Sequence, residues 1–376
     1  MLMMTRLLAA GLAAGCLVSA LPASAQGTGG TTGAEAPALD NAEALELVTR
    51  VIDDAIRPGY RAFAEAARDA ALRMDTLCAE PSERALETAR DGFGGLVSAF
   101  AAIEFVRFGP IRTDNRLERI LFFPDPRGVT RRQVEQLLAG ADAGTLDADT
   151  LAQKSVAVQG LPALEFVLFG EGSDALAGTG GADRCSYGEA ISQNLAAIAS
   201  DLDTAWADET GIDRRLTHPG PDDPAYRTPA DSIGEIVSIF TEGLEIIRDQ
   251  RIGPALGADD EPAKPYLFLF NRSDNALAAL KADFDGLGAM FETAEFSRVL
   301  PAQQAYLTGA IGLEFDQIGA TLEALPSPLG AAAGNGDWRD KLAYAAIAAG
   351  SIRAQFESQL APALGLASGF SSLDGD

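Results

Sequence analysis

Residues 81–108, PSERALETARDGFGGLVSAFAAIEFVRF, decide the fold class. Apolar residues recur in this stretch at spacings of three and four, and Pro81 stands where a helix can begin without losing a hydrogen bond. The pattern predicts one long helix that ends at Gly109-Pro110. The same spacing continues almost everywhere after residue 40, whereas alternation of period two is rare. The sequence therefore predicts an all-α protein with few or no strands.

An echo of this stretch lies in the second half of the chain. Residues 103–110 read IEFVRFGP, and residues 244–254 read LEIIRDQRIGP. In both, a Glu and an Arg stand three apart, so that they share one helix face and can pair. The two pairs are Glu104 with Arg107 and Glu245 with Arg248. Because helices commonly carry such pairs and commonly end at Gly-Pro, the echo indicates a duplicated fold more strongly than a duplicated site.

An internal duplication predicts two related helical bundles. The first is predicted over residues 41–210 and the second over residues 229–370. Residues 211–228 are polar and rich in proline, which is typical of a linker between domains.

The first 25 residues have the features of a secretory signal peptide. Arg6 is the only charged side chain among residues 1–25, and Leu7 to Val18 form a short apolar core. Small residues precede Gln26, where we predict cleavage. The apolar run is too short to span a bilayer core of about 30 Å. We therefore predict a protein of the periplasm or cell envelope with no transmembrane segment.

A lipid anchor at Cys16 is the alternative to soluble export. Residues 13–16 read AAGC, which resembles a lipoprotein processing site but lacks the usual Leu three positions before the Cys. We favour soluble export, followed by a flexible, Gly-rich leader at residues 26–40.

Export also gives the cysteines an interpretation. Once Cys16 is removed with the signal, Cys78 and Cys185 remain. Two thiols in an oxidising compartment most simply form a disulfide, although two unrelated buried thiols are the alternative.

The net charge of −25 limits the partners of the chain. Nucleic acid and anionic membrane surfaces would repel a protein this acidic. An acidic surface attracts cations, but a solvated surface that keeps an exported protein soluble is the commoner cause.

Histidine chemistry is almost excluded by composition. The single histidine, His218, lies in the linker sequence THPGPDDP, where a solvated loop residue is the favoured interpretation. The sequence also lacks a Cys cluster, a Gly-rich phosphate loop and a His-based triad. The remaining candidates are carboxylates and guanidiniums in apolar surroundings: Glu104, Arg107, Asp125, Glu165, Glu245, Arg248 and Arg251.

Glu165 is the most informative of these candidates. It lies in GLPALEFVLFG, residues 160–170, where the neighbours are apolar and Pro162 stands in the first turn of a predicted helix. A charge on a buried helix needs a partner or a ligand. Two interpretations stay open: Glu165 binds a ligand, or it pairs with an Arg such as Arg107.

Six stretches of the sequence together carry a resemblance to a known family: IEFVRFGP (103–110), RILFFPDP (119–126), SVAVQGLPALEFVLFG (155–170), RCSYGEAISQNL (184–195), EIIRDQRIGPALG (245–257) and FNRSDNALAAL (270–280). They resemble the imelysin-like proteins, a family grouped with peptidases. The resemblance covers nearly the whole chain after the signal, and its motifs occur in the expected order. It implies two related helical bundles in the bacterial periplasm or envelope, an association with iron uptake, and a ligand site in the cleft between the bundles.

The signature of imelysin-like proteins, G-x-H-x-x-E, is associated with metal binding. Gly160 and Glu165 match it, but Pro162 stands at the His position. Catalytic zinc sites use three protein ligands, with His prominent among them, so a zinc peptidase has no convincing ligand set here. Carboxylates alone can hold a hard cation such as ferric iron or calcium. The candidates for this are Glu104 and Glu165, with Asp125 and Glu245 as further ligands.

We therefore expect a non-catalytic periplasmic binding or accessory protein that serves iron, another metal or a metal chelate. In a variant of this hypothesis, Arg107, Arg248 and Arg251 bind an anionic ligand in the cleft, such as a carboxylate-bearing chelator or a sugar acid. Iron or another hard cation is the only cofactor that the sequence suggests. The alternatives are an envelope metallopeptidase and an interaction module that docks on an outer-membrane partner through an apolar patch.

Overall fold

The computed structural model describes residues 40–140, 143–257, 262–329 and 336–366. These residues form helices joined by turns and contain no β-strand, which confirms the predicted all-α fold. None of the helices in these ranges is long and apolar enough to cross a membrane. The predicted signal at 1–25, Cys16 and nearly all of the leader at 26–40 lie outside the described residues.

The first half of the chain contains nine α-helices within the described ranges, besides short 3₁₀ and π-helical segments. They are α1 (Asn41–Val51), α2 (Arg57–Ala79), α3 (Glu83–Ala101), α4 (Arg116–Ile120), α5 (Val129–Ala139), α6 (Ala148–Ala152), α7 (Leu161–Phe169), α8 (Ala182–Ala207) and α9 (Ile212–Thr217). The helices described in the second half are α10 (Pro229–Ile246), α11 (Gly253–Leu256), α12 (Ala276–Ala294), α13 (Tyr306–Glu323), α14 (Gly336–Gln355) and α15 (Ala361–Ala363).

Helix starts follow from local sequence. At α3, the hydroxyl of Ser82 accepts a hydrogen bond from the N–H of Ala85. At α10, Thr228 and Asp231 form a reciprocal capping box, with Thr228 just before the helix and Asp231 in its first turn. These contacts satisfy N–H groups that have no partner inside the helix.

Three helical stretches pass a proline through a π-helical segment. Proline lacks an N–H, and in an α-helix its ring collides with the carbonyl four residues earlier. The wider π turn gives that carbonyl room, so the chain remains helical from α1 into α2 instead of breaking at Pro58. The segments are Ile52–Ile56, Ile247–Ile252 and Phe356–Leu360, which precede Pro58, Pro254 and Pro362.

Two groups of helices pack around a continuous apolar core. In the first half, α2 packs against α3 and α8, and α7 also packs against α3 and α8. In the second half, α12 packs against α13, α13 against α14, and α14 against α10. The helix α1 packs on α10 and α12, and α3 also contacts α12, so the two groups share an interface. The linker at 211–228 as a domain boundary stays a prediction.

The predicted disulfide is present. Cys78 of α2 and Cys185 of α8 are bonded, with their Cα atoms 5.6 Å apart. The bond fastens two helices that also pack against each other in the first half. This confirms the pairing expected from the cysteine count.

The helix predicted over residues 81–108 is shorter than expected. It ends at Ala101, and residues 102–108 form irregular turns. Glu104 and Arg107 therefore do not share a helix face, and the predicted ion pair between their side chains is absent.

Tertiary contacts explain the early end of α3. The hydroxyl of Tyr60 donates to the carbonyl oxygen of Val106 at 3.1 Å, which gives this backbone group a partner outside a helix. On the other side, a Cβ atom at Gly286 of α12 would lie 2.2 Å from the carbonyl oxygen of Ala102. The glycine lets α12 approach the end of α3 closely, and the chain turns there into the interface.

Candidate functional site

A buried ion pair joins the two halves of the chain next to the candidate site. Arg251, in the π-helical segment Ile247–Ile252, donates from Nη2 to Oε1 and Oε2 of Glu104 at 2.6 and 2.8 Å, and from Nε to Oε1 at 3.1 Å. Both residues are only 5% exposed. The guanidinium Cζ lies 5.0 Å from the ring centre of Phe123, so a cation–π contact adds to the charge-assisted hydrogen bonds.

Asp283 of α12 adds a second buried carboxyl group to this ion pair. It is 1% exposed, and its Oδ1 has no hydrogen-bond partner in the described structure. Burial raises the pKa of Asp283 well above its ordinary value, and the charge of Glu104 raises it further, whereas Arg251 lowers it. Asp283 therefore keeps its proton to higher pH than an exposed Asp does.

Arg107 lies beside the buried ion pair and lines a cavity of about 460 Å³. Its Nε donates to the carbonyl oxygen of Glu104 at 3.3 Å, and no carboxylate in the described part of the chain forms an ion pair with its guanidinium. Burial lowers the pKa of Arg107, and the charge of Glu104 raises it. The cavity is thus lined by a poorly solvated guanidinium whose Nη1 and Nη2 groups can donate hydrogen bonds to a ligand.

The cavity lies between residues 105–118 and α10. Glu235, Ser238 and Glu242 of α10 stand at positions i, i+3 and i+7, and all three line it. Both guanidiniums and carboxylates therefore face the same space. The other lining residues are Phe105, Arg107, Phe108, Arg112, Asn115, Leu117 and Glu118.

A strained turn forms part of the cavity wall. Asp114 and Asn115 have positive φ angles of 54° and 52°, in the left-handed region that L-residues adopt at a cost. These two residues turn the chain from the 3₁₀ segment Gly109–Asn115 into α4. Arg112 and Asn115, on this segment, both line the cavity.

The carboxylates of α10 influence each other. Burial raises the pKa of Glu235, a hydrogen bond from the hydroxyl of Tyr226 at 3.0 Å lowers it, and the charge of Glu242 raises it. A positive charge in the cavity would therefore favour the ionised form of Glu235.

Glu165 fastens a loop of the second half to α7. It is 6% exposed, and its Oε1 accepts hydrogen bonds from the N–H and hydroxyl of Ser273 at 3.0 and 2.8 Å. Arg272 Nη1 donates to Oε2 at 3.3 Å. Burial raises the pKa of Glu165, and the charge of Arg272 lowers it. An ion pair does form, but its partner is Arg272 and not Arg107 as the sequence suggested.

Gly160 and Pro162 fix the start of α7. A Cβ atom at Gly160 would lie 2.3 Å from the carbonyl oxygen of Ile120, so only glycine allows this approach of the two backbones. Pro162 occupies the first turn of the helix, as predicted, where its missing N–H costs no hydrogen bond. Both residues position Glu165 through the helix that carries it.

Asp125 has a structural partner in α5. The N–H groups of Val129 and Thr130 each donate to its carboxylate at 2.8 Å. The carboxylate therefore satisfies the free N–H groups at the start of α5, and the structure does not bring Asp125 into contact with Glu104 or Glu165.

Glu245 and Arg248 have partners unlike those of Glu104 and Arg107. The carboxylate of Glu245 pairs with Arg353 at 2.8 Å. Arg248 forms two hydrogen bonds of 2.7 Å with its neighbour Asp249. The echo between the two halves therefore does not extend to equivalent ion pairs.

The two predicted metal ligands, Glu104 and Glu165, are held by different partners. Arg251 binds Glu104, whereas Ser273 and Arg272 bind Glu165. Within the ranges that the structure describes, no group of three or more His, Cys, Asp or Glu is placed to hold a metal ion. Metal binding by Glu104 and Glu165 stays a prediction.

A comparison with protein families bears on this architecture. The family model for imelysin, which is named as a peptidase class, matches residues 56–356. The chain belongs to the imelysin family. This imelysin-family chain has Gly160 and Glu165 at the ends of the stretch that resembles G-x-H-x-x-E, and Pro162 stands at the His position.

Solved structures show the same fold. An imelysin-like protein from Psychrobacter arcticum 273-4 aligns with a TM-score of 0.73 at 22% identity, over 89% of this chain and 99% of that chain. A protein from Parabacteroides distasonis ATCC 8503, provisionally named iron-regulated protein A precursor, aligns with a TM-score of 0.66 at 13% identity, over 85% and 98%. No curated protein sequence gives a significant match. At these identities the two structures establish the fold of this imelysin-family chain and not its ligand.

Asp283 is the site residue that sequence reasoning missed although a signal was present. In the stretch ALKADFDGL, Leu280, Phe284 and Leu287 stand at i, i+4 and i+7 and mark the buried face of α12. Asp283 lies on that face at i+3, where a charge needs a partner. The cavity-lining residues Arg112, Glu235 and Glu242 were not singled out by any such charge on an apolar helix face.

Replacing Asp283 with Asn should stabilise the protein at neutral pH and flatten its pH dependence. Because the pKa of Asp283 in the folded state is raised, the folded state binds this proton more tightly than the unfolded state does. The free energy of unfolding therefore falls as pH rises from the unfolded pKa of about 3.9 towards the folded pKa. Asn resembles the protonated acid and removes this loss, which is about 1.4 kcal/mol for each unit between the two pKa values.

Urea denaturation across this pH range measures the effect. The stability gain of Asp283→Asn should grow as pH rises and vanish near the unfolded pKa. Asp316→Asn, which changes an exposed acid of α13, is the matched control and should shift stability little. A loss of stability at every pH would show that the folded state does not favour the protonated form of Asp283.

Proposed function

We propose that this imelysin-family protein is a non-catalytic binding protein of the bacterial periplasm or envelope, associated with iron uptake. Its ligand is a carboxylate-bearing metal chelate, held in the cavity beside Arg107. The observation that carries this proposal is the guanidinium of Arg107, which lines a cavity of about 460 Å³ and has no ion-pair partner in the described chain. A carboxylate fits the fork of a guanidinium with two parallel hydrogen bonds.

The composition of the cavity supports a chelate over a simple anion. Arg112 supplies a second guanidinium, while Glu235 and Glu242 supply carboxylates on the facing helix. Oxygen ligands of this kind suit hard cations, so the carboxylates can approach the metal ion while the arginines bind the chelator. A volume of this order suits a small molecule. The name of the Parabacteroides distasonis protein, which refers to iron regulation, supports iron as the metal.

Two features support a role outside the cytoplasm. Residues 1–25 have the composition of a signal peptide. The disulfide between Cys78 and Cys185 is of the kind that persists in oxidising compartments and is rare in the cytosol.

Pro162 supports binding over catalysis. Its ring nitrogen is an amide nitrogen whose lone pair is delocalised into the peptide bond, so it cannot bind a metal in place of the imidazole that the family motif has there. In addition, the only histidine of the chain, His218, lies in the linker and hydrogen-bonds the hydroxyl of Thr217. The ligand set of a zinc peptidase therefore has no nitrogen donor from histidine at the motif.

Replacing Arg107 with Ala should weaken the binding of ferric citrate by about 10- to 100-fold, because hydrogen bonds to a charged group contribute about 1.5–3 kcal/mol. Calorimetric titration with ferric citrate, free citrate, ferric iron and calcium measures the effect. Arg131→Ala removes an exposed arginine whose partner is Glu135 and serves as the matched control. Circular dichroism and thermal melting show whether each variant is folded.

The variants separate the two forms of the binding hypothesis. If carboxylates alone hold a bare cation, Glu104→Ala and Glu165→Ala abolish the binding of ferric iron while Arg107→Ala retains it. If the chelate version is correct, Arg107→Ala loses ferric citrate and Glu165→Ala affects it only through stability. Failure of the wild type to bind any of the four probes, or unchanged binding by Arg107→Ala, would refute the chelate proposal.

A further inference from the structure

The outer face of α13 and α14 holds large apolar side chains in contact with water. Leu313 and Ile347 are 57% and 73% exposed, and Tyr306 and Tyr344 are 64% and 38% exposed. Single exposed apolar residues are normal on a protein surface, but a cluster of them marks an interaction site. The other large apolar side chains that are exposed within the described ranges are Leu72, Tyr266 and Leu267.

Hydrogen bonds between the two helices show that these side chains are neighbours. The hydroxyl of Tyr344 donates to Gln317 Oε1 at 2.9 Å, and the hydroxyl of Ser351 donates to Glu314 Oε1 at 3.2 Å. The two helices therefore run side by side, antiparallel, over this stretch. Ile347 stands between Tyr344 and Ser351 on one face of α14.

The same register places Leu313 of α13 next to Ile347. Leu313 precedes Gln317 by one helical turn, and Tyr306 lies two turns before Leu313 on the same face. The apolar side chains thus form one surface that spans both helices.

The backbone of α13 is also accessible beside this surface. A Cβ atom at Gly309 or Gly312 would meet nothing within 4 Å. Glycine inside a helix costs about 1 kcal/mol relative to alanine, and no neighbour in the described chain uses the space that these two glycines leave. Absence of a Cβ lets another backbone approach closely, so the glycines suit a helix packed on this face.

Helix α13 contributes acidic side chains to this surface, and the basic residues of α14 already have partners: Arg339 donates to the carbonyl oxygen of Leu256, Lys341 pairs with Asp337, and Arg353 pairs with Glu245. The sequence of α13 contains Glu314, Asp316 and Glu323 and no basic residue. Asp316 and Asp340 are exposed at the edges of the apolar cluster. Because the whole chain has a net charge of −25, a second copy or an anionic membrane would be repelled, whereas a cationic partner would be attracted.

We propose that this face of α13 and α14 is a docking surface for a cationic amphipathic helix of a partner protein. The apolar stripe of that helix packs on Leu313 and Ile347, and its Lys and Arg residues lie near Asp316 and Asp340. This is the helix-in-groove mode of recognition, in which apolar anchors supply affinity and charges select the partner. The surface is independent of the cavity beside Arg107.

Synthetic helical peptides test the proposal directly. The probe is a fluorescein-labelled amphipathic helix with Leu on one face and Lys on the other, titrated with the purified chain by fluorescence anisotropy. One comparison peptide carries Glu in place of Lys, and another has the same composition in scrambled order. We expect the cationic amphipathic peptide to bind at least about tenfold more tightly than either comparison peptide, with an affinity that falls as salt rises.

The matched variants locate the binding surface. Leu313→Gln/Ile347→Gln should weaken binding at least about tenfold, because both apolar anchors are lost. Leu72→Gln changes an equally exposed leucine on α2 and should leave the affinity unchanged. Asp316→Asn/Asp340→Asn should weaken binding severalfold and reduce its salt dependence.

Three results would overturn the proposal. Equal binding of the cationic and scrambled peptides would mean that no amphipathic helix is recognised. An affinity unaffected by Leu313→Gln/Ile347→Gln would place peptide binding elsewhere. Self-association in sedimentation, or binding to anionic vesicles, that is abolished by the same double variant would assign the surface to a second copy or to a membrane.

Discussion

Replacing Arg251 with Met should lower the free energy of unfolding by about 3–5 kcal/mol, the cost of removing one partner from a buried ion pair. In the native structure Glu104 is only 5% exposed, and the change removes the three hydrogen bonds that Arg251 donates to its carboxylate. Methionine retains much of the volume of the side chain, so the loss reflects the uncompensated charge more than a cavity. Urea denaturation at neutral pH measures it.

Two further variants show whether the charge is the cause. Glu104→Gln/Arg251→Met removes both charges and should recover most of the lost stability, because a buried ion pair contributes little beyond a well-packed neutral pair. Arg248→Met is the matched control in the same π-helical segment, and it should cost less than about 1 kcal/mol because its partner Asp249 is exposed. An Arg251→Met variant as stable as Arg248→Met would show that Glu104 finds another partner or takes up a proton without cost.

The ion pair also connects stability to the proposed binding site. Arg107 donates from Nε to the carbonyl oxygen of Glu104, so the backbone that carries Glu104 positions the guanidinium that lines the cavity. Arg251 fixes the side chain of the same residue from the opposite half of the chain. We therefore infer that Arg251 positions Arg107 through Glu104.

Local sequence was sufficient to predict the helices but not where they end in the core. Apolar spacing and a proline in the first turn of a helix are local signals, and Pro162 lies in the first turn of α7 as they indicate. The end of α3 at Ala101 depends on Tyr60 and Gly286, which lie far away in the sequence. No pattern within residues 81–108 contains that information.

Local sequence also did not predict which residues pair with the buried charges. The sequence showed that Glu165 lies in apolar surroundings and needs a partner, and this was correct because burial of a charge has a general cost. The partner, Ser273, is 108 residues away in the chain, and only the packed structure brings it within 3.0 Å. The cavity beside Arg107 could not be predicted for the same reason, since residues 105–118 and α10 meet only in the folded chain.

Replacing Cys78 and Cys185 with Ala should lower the free energy of unfolding by about 4.7 kcal/mol, the value that the chain-entropy model gives for a loop of this length. The two residues are separated by 107 positions, so the bond excludes many extended conformations of the unfolded chain. In the folded state, α2 and α8 pack against each other over their lengths, so we expect the native structure to persist without the bond. The denaturant dependence of stability should also become steeper, because the unfolded chain exposes more surface.

Urea denaturation of the oxidised wild type, the reduced wild type and Cys78→Ala/Cys185→Ala tests this expectation. The reduced wild type should match the double variant, which shows that the bond and not the side-chain volume is responsible. Equal stability of all three proteins would mean that the unfolded chain is already restricted in this region. Ferric citrate binding should be the same in all three, because the disulfide lines a different cavity, of about 290 Å³, with Leu176 and Thr179. Loss of binding on reduction would instead mean that the packing of α2 and α8 alone does not hold Arg107 in place.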